Sequence, residues 1–298
     1  MATSPDSKRF LRYLAPNLVT ATSMMFGLVS LAATHRGAWE LAAWMIIYAV
    51  LTDRLDGFVA RLVRGTSEFG MQLDSFADFL NFGIAPAFLV YTFIIEQPQL
   101  DMRDGLPHLW LIAACAVWVL CAVFRLARFN VISDDATPTK IFFGIPTTLA
   151  GGLLAIWFLA LLKYAEPGGT FGGAKLFGEG WSVPPSVWRW FPVAMVIGGY
   201  LMASSLRMPK VGAARTRAMT AFVLINVLVG YVLGFAQLFP EFLVFQPSLW
   251  ILVFLVWGQV APTAKKLAPP RLFPPSTDVN QPKVRPQEDL ATEDNLVP

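Results

Sequence analysis

The chain has 298 residues, of which 55% are hydrophobic and only 14% charged, with a mean hydropathy of +0.55. A water-soluble domain carries about a quarter charged residues, and here the apolar residues come in long blocks, so a soluble fold is excluded in favour of a polytopic membrane protein. The net charge of +3 decides little by itself, because where the charges stand matters more than their sum.

In chain order, residues 1–16 open polar and basic (MATSPDSKRFLR), with no small-residue cleavage site after the first apolar run, which predicts a retained span. Candidate membrane spans follow at 17–34, 39–63, 71–95, 108–128, 142–163, 190–206, 218–236 and 247–261. Their lengths bracket the ~20 residues a helix needs to cross the hydrocarbon. With eight alternating spans and a cytoplasmic N-terminus, eighteen of the 23 Lys and Arg residues fall on the inner side. That bias predicts cytoplasmic N- and C-termini in a bacterial-type inner membrane. Cys115 and Cys121, the only cysteines, share one apolar block and read as small core residues. The Gly- and Pro-rich stretch 164–189 reads as an outer loop whose Trp181 and Trp188, with Trp190 just beyond it, suit a membrane interface. From Ala268 the chain is polar and Pro-rich, as a disordered tail would be.

Four aspartates interrupt this apolar pattern. On the second predicted helix Asp53, Asp56, Gly57, Ala60 and Arg61 stand at i, i+3, i+4, i+7 and i+8, a single stripe; on the third, Gly70, Asp74 and Asp78 repeat every four residues. The connection between them is short, which predicts antiparallel neighbours and converging carboxylates. Burying such charge near lipid costs several kcal/mol per group unless it is compensated. Two divalent cations balance four carboxylates, and oxygen-only ligands select hard ions such as Mg²⁺ or Mn²⁺. Gly57 and Gly70 clear side chains where a ligand could approach the backbone, or where helices pack closely. With Arg61 nearby, the arrangement suits phosphate chemistry.

The same segment resembles the signature of the CDP-alcohol phosphotransferase family, D-x-x-D-G-x-x-A-R-x8-G-x3-D-x3-D, met at Asp53, Asp56, Gly57, Ala60, Arg61, Gly70, Asp74 and Asp78. PNLVTATSMMFG at Pro16–Gly27 is similar to the family's first helix. The resemblance implies an all-α transmembrane bundle, usually a homodimer. Asp53, Asp56, Asp74 and Asp78 would be metal ligands for two Mg²⁺ or Mn²⁺ ions, with Asp78 also the general base. Gly57, Arg61 and Gly70 would contact the CDP group. Further stretches, FGMQLDSFADFLNFGIAPA at Phe69–Ala87, FRLARFN at Phe124–Asn130, FFGIPTTLAGG at Phe142–Gly152 and YLMASSLRMPK at Tyr200–Lys210, are similar to the membrane-embedded phosphatidylserine synthases within the family. Asn81 and Thr148 depart from that subgroup, where Ser and Pro are usual.

The chain therefore divides into an N-terminal segment 1–16, a CDP-alcohol phosphotransferase core 17–210, two additional helices within 211–264 and a tail 265–298. The implied reaction transfers the phosphatidyl group of CDP-diacylglycerol to L-serine, giving phosphatidylserine and CMP. Arg125, Arg128 and Lys140 are candidates for the serine carboxylate, against the alternative that they are inner-edge cations with no ligand. Asn81 and Asn130 are lesser candidates for serine. Partners expected are the lipid nucleotide, serine, the bilayer and a second copy of the chain, with no nucleic acid. Glycerol 3-phosphate, inositol phosphate or choline as acceptor remains open, and a cation transporter is the distant alternative.

Overall fold

A computed structural model describes residues 5–63, 67–132, 141–165, 171–209 and 217–261. The tail, Lys140, and the side chains of Asp56 and Arg61 lie outside the described residues. Nine α-helices are described: α1 (Pro5–His35), α2 (Trp39–Val63), α3 (Glu68–Asp78), α4 (Ala85–Ile95), α5 (Gly105–Ile132), α6 (Thr147–Ala165), α7 (Phe191–Ala203), α8 (Arg217–Phe235) and α9 (Pro240–Val260). A π-helical segment, Phe79–Ile84, joins α3 to α4 as one rod, so the nine described helices form eight rods, the number of helices expected.

Among the described residues, five stretches are long and apolar enough to cross a bilayer: Leu14–His35, Glu68–Ile95, Gly105–Asn130, Thr147–Ala165 and Pro240–Val260. The other three rods fall short for identifiable reasons. Helix α2 carries the charges of the acid motif, α7 has 13 residues behind a 3-10 turn, and the apolar part of α8 is Leu224–Phe235. Leu224, Ile225, Leu228 and Val232 on α8 point outward, as lipid-facing side chains do. The protein is an integral membrane protein.

Between helices in lipid, small residues and hydroxyls replace the hydrophobic effect as the source of close packing. Helix α1 lies on α2 in this way: Ser30 donates to the Ala42 carbonyl at 2.8 Å, Ser23 donates to that of Ala49 at 3.2 Å, and Ala42, Ala43 and Ala49 are fully buried. On α6, side chains at Gly151 and Gly152 would strike the backbone of Phe82 and the side chain of Val50, so glycine sets how closely α6 approaches the π segment and α2. The π segment has a local cause. Pro86 has no N–H, which frees the Phe82 carbonyl four residues earlier, and the buried indole of Trp118 on α5 donates to it at 3.0 Å.

Two features depart from expectation. The fifth pass starts at Thr147 and not near 142, because Ile141–Phe143 forms strand β1, antiparallel to β2 (Arg207–Pro209). Gly144 then turns at φ +78°, where a side chain would collide with the Met202 carbonyl, and Pro146 leads into α6. This ribbon ties the start of α6 to the end of α7. Trp188, expected at the interface, is buried among Phe93, Phe158 and Phe191; Trp181 and Trp190 are exposed. Helices α8 and α9 pack on α2 and α6: Tyr231 donates to the Leu51 carbonyl at 3.1 Å and Tyr48 to that of Phe235 at 3.1 Å.

Candidate active site

Helix α3 begins at an N-cap, Ser67, whose hydroxyl accepts from the Gly70 amide at 3.0 Å. From that start, Asp74 and Asp78 follow Gly70 by one and two turns, as the spacing predicted. A side chain at Gly70 would sit 3.0 Å from Asn17 Oδ1 on α1, which gives this glycine a packing role. Among the described residues α3 rests on α1, while α2 meets the same rod lower down, at the π segment and α4. The two acid-bearing helices are therefore not packed along their lengths and come together at the carboxylates.

There, one oxygen from each of Asp53, Asp74 and Asp78 lies within 4.8 Å of the other two. Asp78 is buried at 8% exposure, and Asp53 and Asp74 are half-buried. Three carboxylates so close repel one another and lose hydration, and a bound cation removes both costs. The donor set fits a hard ion: it is all oxygen, and Asp78 Oδ1 is buried with no hydrogen-bond partner. These residues could hold a metal ion. Asp56 falls on the same helical stripe, with its side chain outside the described residues; Gly57, one turn beyond Asp53, is half-buried.

The remaining partners come from α5 and α6. Thr147, the first residue of α6 and fully buried, donates to Asp78 Oδ2 at 3.3 Å, and Arg125 Nη1 donates to the same hydroxyl at 3.1 Å. Arg128, also buried, donates to three main-chain carbonyls: Ala203 at 2.9 Å, Ser204 at 2.8 Å and Phe143 at 3.4 Å. It clamps the ribbon to the end of α7. Asn130 bonds Ser75 on α3 at 2.9 Å. Asn81, fully buried in the π segment, donates to Ser23 at 3.0 Å, in space that only Gly27 leaves open.

Thr147 was not among the residues the sequence singled out. Its local signal is a hydroxyl residue opening a helix after Gly-Ile-Pro, which marks a cap and says nothing of a carboxylate 69 positions away.

A helical membrane bundle that gathers three carboxylates, an arginine and a threonine around one point among its helices is of the class that handles a charged group within the membrane. The family model described as CDP-alcohol phosphatidyltransferase matches residues 13–188, more than half of the chain, and the chain belongs to that family. Relatives include a "CDP-diacylglycerol--serine O-phosphatidyltransferase" of Helicobacter pylori, 33% identical over 198 residues, covering 66% of this chain and 73% of that protein. One of the same name from Mycobacterium leprae is 34% identical over 217 residues, covering 70% and 63%. An "Archaetidylserine synthase" of Methanothermobacter thermautotrophicus is 29% identical over 157 residues, covering 52% and 62%.

Proposed function

We infer that the protein transfers the phosphatidyl group of CDP-diacylglycerol to the hydroxyl of L-serine, giving phosphatidylserine and CMP. The observation that carries this reading is the convergence of Asp53, Asp74 and Asp78 within the family's motif. The names of these three relatives all contain serine, while the lipid of the archaeal one differs from that of the other two, which favours serine over other alcohols as the acceptor.

In the reaction, serine Oγ forms a bond to the phosphorus that carries diacylglycerol, the bond from that phosphorus to the bridging oxygen breaks, and CMP leaves with the electron pair. Asp53, Asp56, Asp74 and Asp78 would hold two Mg²⁺ or Mn²⁺ ions. When bound, such ions neutralise the diphosphate and stabilise the charge that develops on the leaving phosphate. Gly57, Arg61 and Gly70 contact the CDP group, the arginine through a phosphate. A serine hydroxyl is a weak nucleophile, and Asp78 is the residue that takes its proton.

The serine carboxylate needs a cation. Arg125 and Arg128 already donate to Thr147 and to main-chain carbonyls, so Lys140 is the first residue to test. Lys140→Ala is expected to raise the serine KM about tenfold or more, as loss of a charge-assisted contact worth ~1.5–3 kcal/mol would, and to leave the KM for CDP-diacylglycerol within about twofold. An unchanged serine KM would return Lys140 to the role of an inner-edge cation. The N- and C-termini and the acid cluster face the cytoplasm, following the Lys and Arg bias, and the working form is a homodimer, as the family resemblance implies.

The deciding experiment gives purified protein in nanodiscs CDP-diacylglycerol with serine, glycerol 3-phosphate, inositol phosphate or choline, and follows CMP release. Serine alone is expected to support release, and a divalent-metal chelator to stop it. Release with another acceptor in preference to serine would overturn the assignment while leaving the family intact.

A further inference from the structure

We propose that Thr147, itself fixed by Arg125, is a positioning residue that sets the rotation of the Asp78 carboxylate and so decides which of its oxygens is offered to an ion. Three elements meet in this contact. Arg125 comes from α5, Thr147 opens α6 and Asp78 closes α3, and all three side chains are buried to at least nine-tenths.

The direction of the hydrogen bonds follows from the donor inventory. A guanidinium has only donors, so at 3.1 Å Arg125 must give a proton to Thr147 Oγ1. The threonine's single proton is then free to point at its other neighbour, Asp78 Oδ2, at 3.3 Å. An arginine in direct contact would pull the carboxylate into an ion pair of its own. One hydroxyl in between keeps the positive charge close, fixes Oδ2, and leaves Oδ1 without a partner. Without the tether, Asp78 would be free to turn away from Asp53 and Asp74, because like charges repel. The ribbon of β1 and β2 belongs to the same device, since Gly144 and Pro146 determine where α6 begins and hence where Thr147 stands.

This deepens the proposed function and rests on it for the activity arm of the test; metal binding provides an arm that does not. Mn²⁺ binding to the purified protein, without either substrate, is followed by electron paramagnetic resonance together with the unfolding temperature. Outer-sphere partners of ligands change metal affinity by about 10–100-fold, so Thr147→Val is expected to weaken Mn²⁺ binding at least tenfold and to lower kcat with little change in the serine KM. Its metal-free unfolding temperature should stay near that of the unaltered protein. Thr147→Ser keeps the hydroxyl and is expected to restore both Mn²⁺ affinity and kcat to within about threefold of the parent, below the 10–100-fold loss of a missing partner. Wild-type Mn²⁺ affinity in the valine variant, equal impairment of the serine variant, or no Mn²⁺ binding by the unaltered protein would each overturn the proposal. Should the valine variant not fold, Arg125→Lys carries the test: weakened Mn²⁺ binding supports the tether, and wild-type binding overturns it. If Mn²⁺ binding depends on Thr147 but serine yields no CMP, the acceptor assignment fails and the tether stands.

Discussion

Asp78→Asn is expected to lower phosphatidyl transfer by about 10²–10⁴-fold, the range that loss of a general base produces, while CDP-diacylglycerol still binds measurably. The substitution keeps the shape of the side chain. Its amide oxygen can still accept from Thr147, which would turn the new NH₂ group towards the position of the orphaned Oδ1. An amide there cannot take the serine proton. In the metal-free protein the same change should leave stability equal or raised, because three crowded carboxylates become two. Opposite signs for activity and stability are what a functional cluster predicts, since natural sites accept destabilising charge for the sake of their chemistry. CMP release, binding of the lipid nucleotide in nanodiscs and thermal unfolding with chelator measure the three effects. Ordinary turnover would remove Asp78 from the role of base.

The second large effect lies at the other end of α6. Lys163 and Glu241 form an ion pair at 2.9 Å, with side chains 0% and 1% exposed. The lysine also donates to the carbonyls of Gly172 and Ala174 at 3.0 Å each, and Tyr164 donates to the glutamate at 2.8 Å. The network pins the segment after α6 and the start of α9 to α6. Glu241→Leu leaves a buried ammonium without its counter-charge and should destabilise the fold by about 3–5 kcal/mol, the usual cost of breaking such a pair. The double replacement Lys163→Met with Glu241→Leu should recover most of that loss, because apolar groups of similar volume need no compensation. Unfolding in detergent measures both. At a temperature where the single variant is still folded, CMP release should be close to normal, since the pair stands at the opposite end of α6 from Thr147. A single variant within about 1 kcal/mol of the parent, the median worth of an exposed pair, would show that the pair does not hold α9 in place.

Some elements were legible in the residues because their rules are short-range. Apolar run length marked out the helical rods, and the i, i+4 spacing of Gly70, Asp74 and Asp78 placed them on one face of α3. Boundaries suffered where a local breaker was read through, as at 142–146, where Gly144 and Pro146 stop a helix that hydropathy alone would continue. Trp188 misled for a related reason. Tryptophan near a predicted boundary suits an interface, but an indole also fills an aromatic core, and composition does not distinguish the two.

Apolar run length by itself marked this chain as a membrane protein, periodicity within two or three helical turns marked a carboxylate stripe suited to hard cations, and the resemblance of that stripe to a known signature pointed to the family. The tertiary structure alone decided how the buried charges are made tolerable: Arg125 reaches Asp78 through Thr147, Arg128 is taken up by carbonyls at the ribbon, and Lys163 meets Glu241 across 78 positions. The physical reason is that a buried charge must find a counter-charge or a hydrogen bond in space, and nothing in the spacing along the chain records which distant residue will supply it.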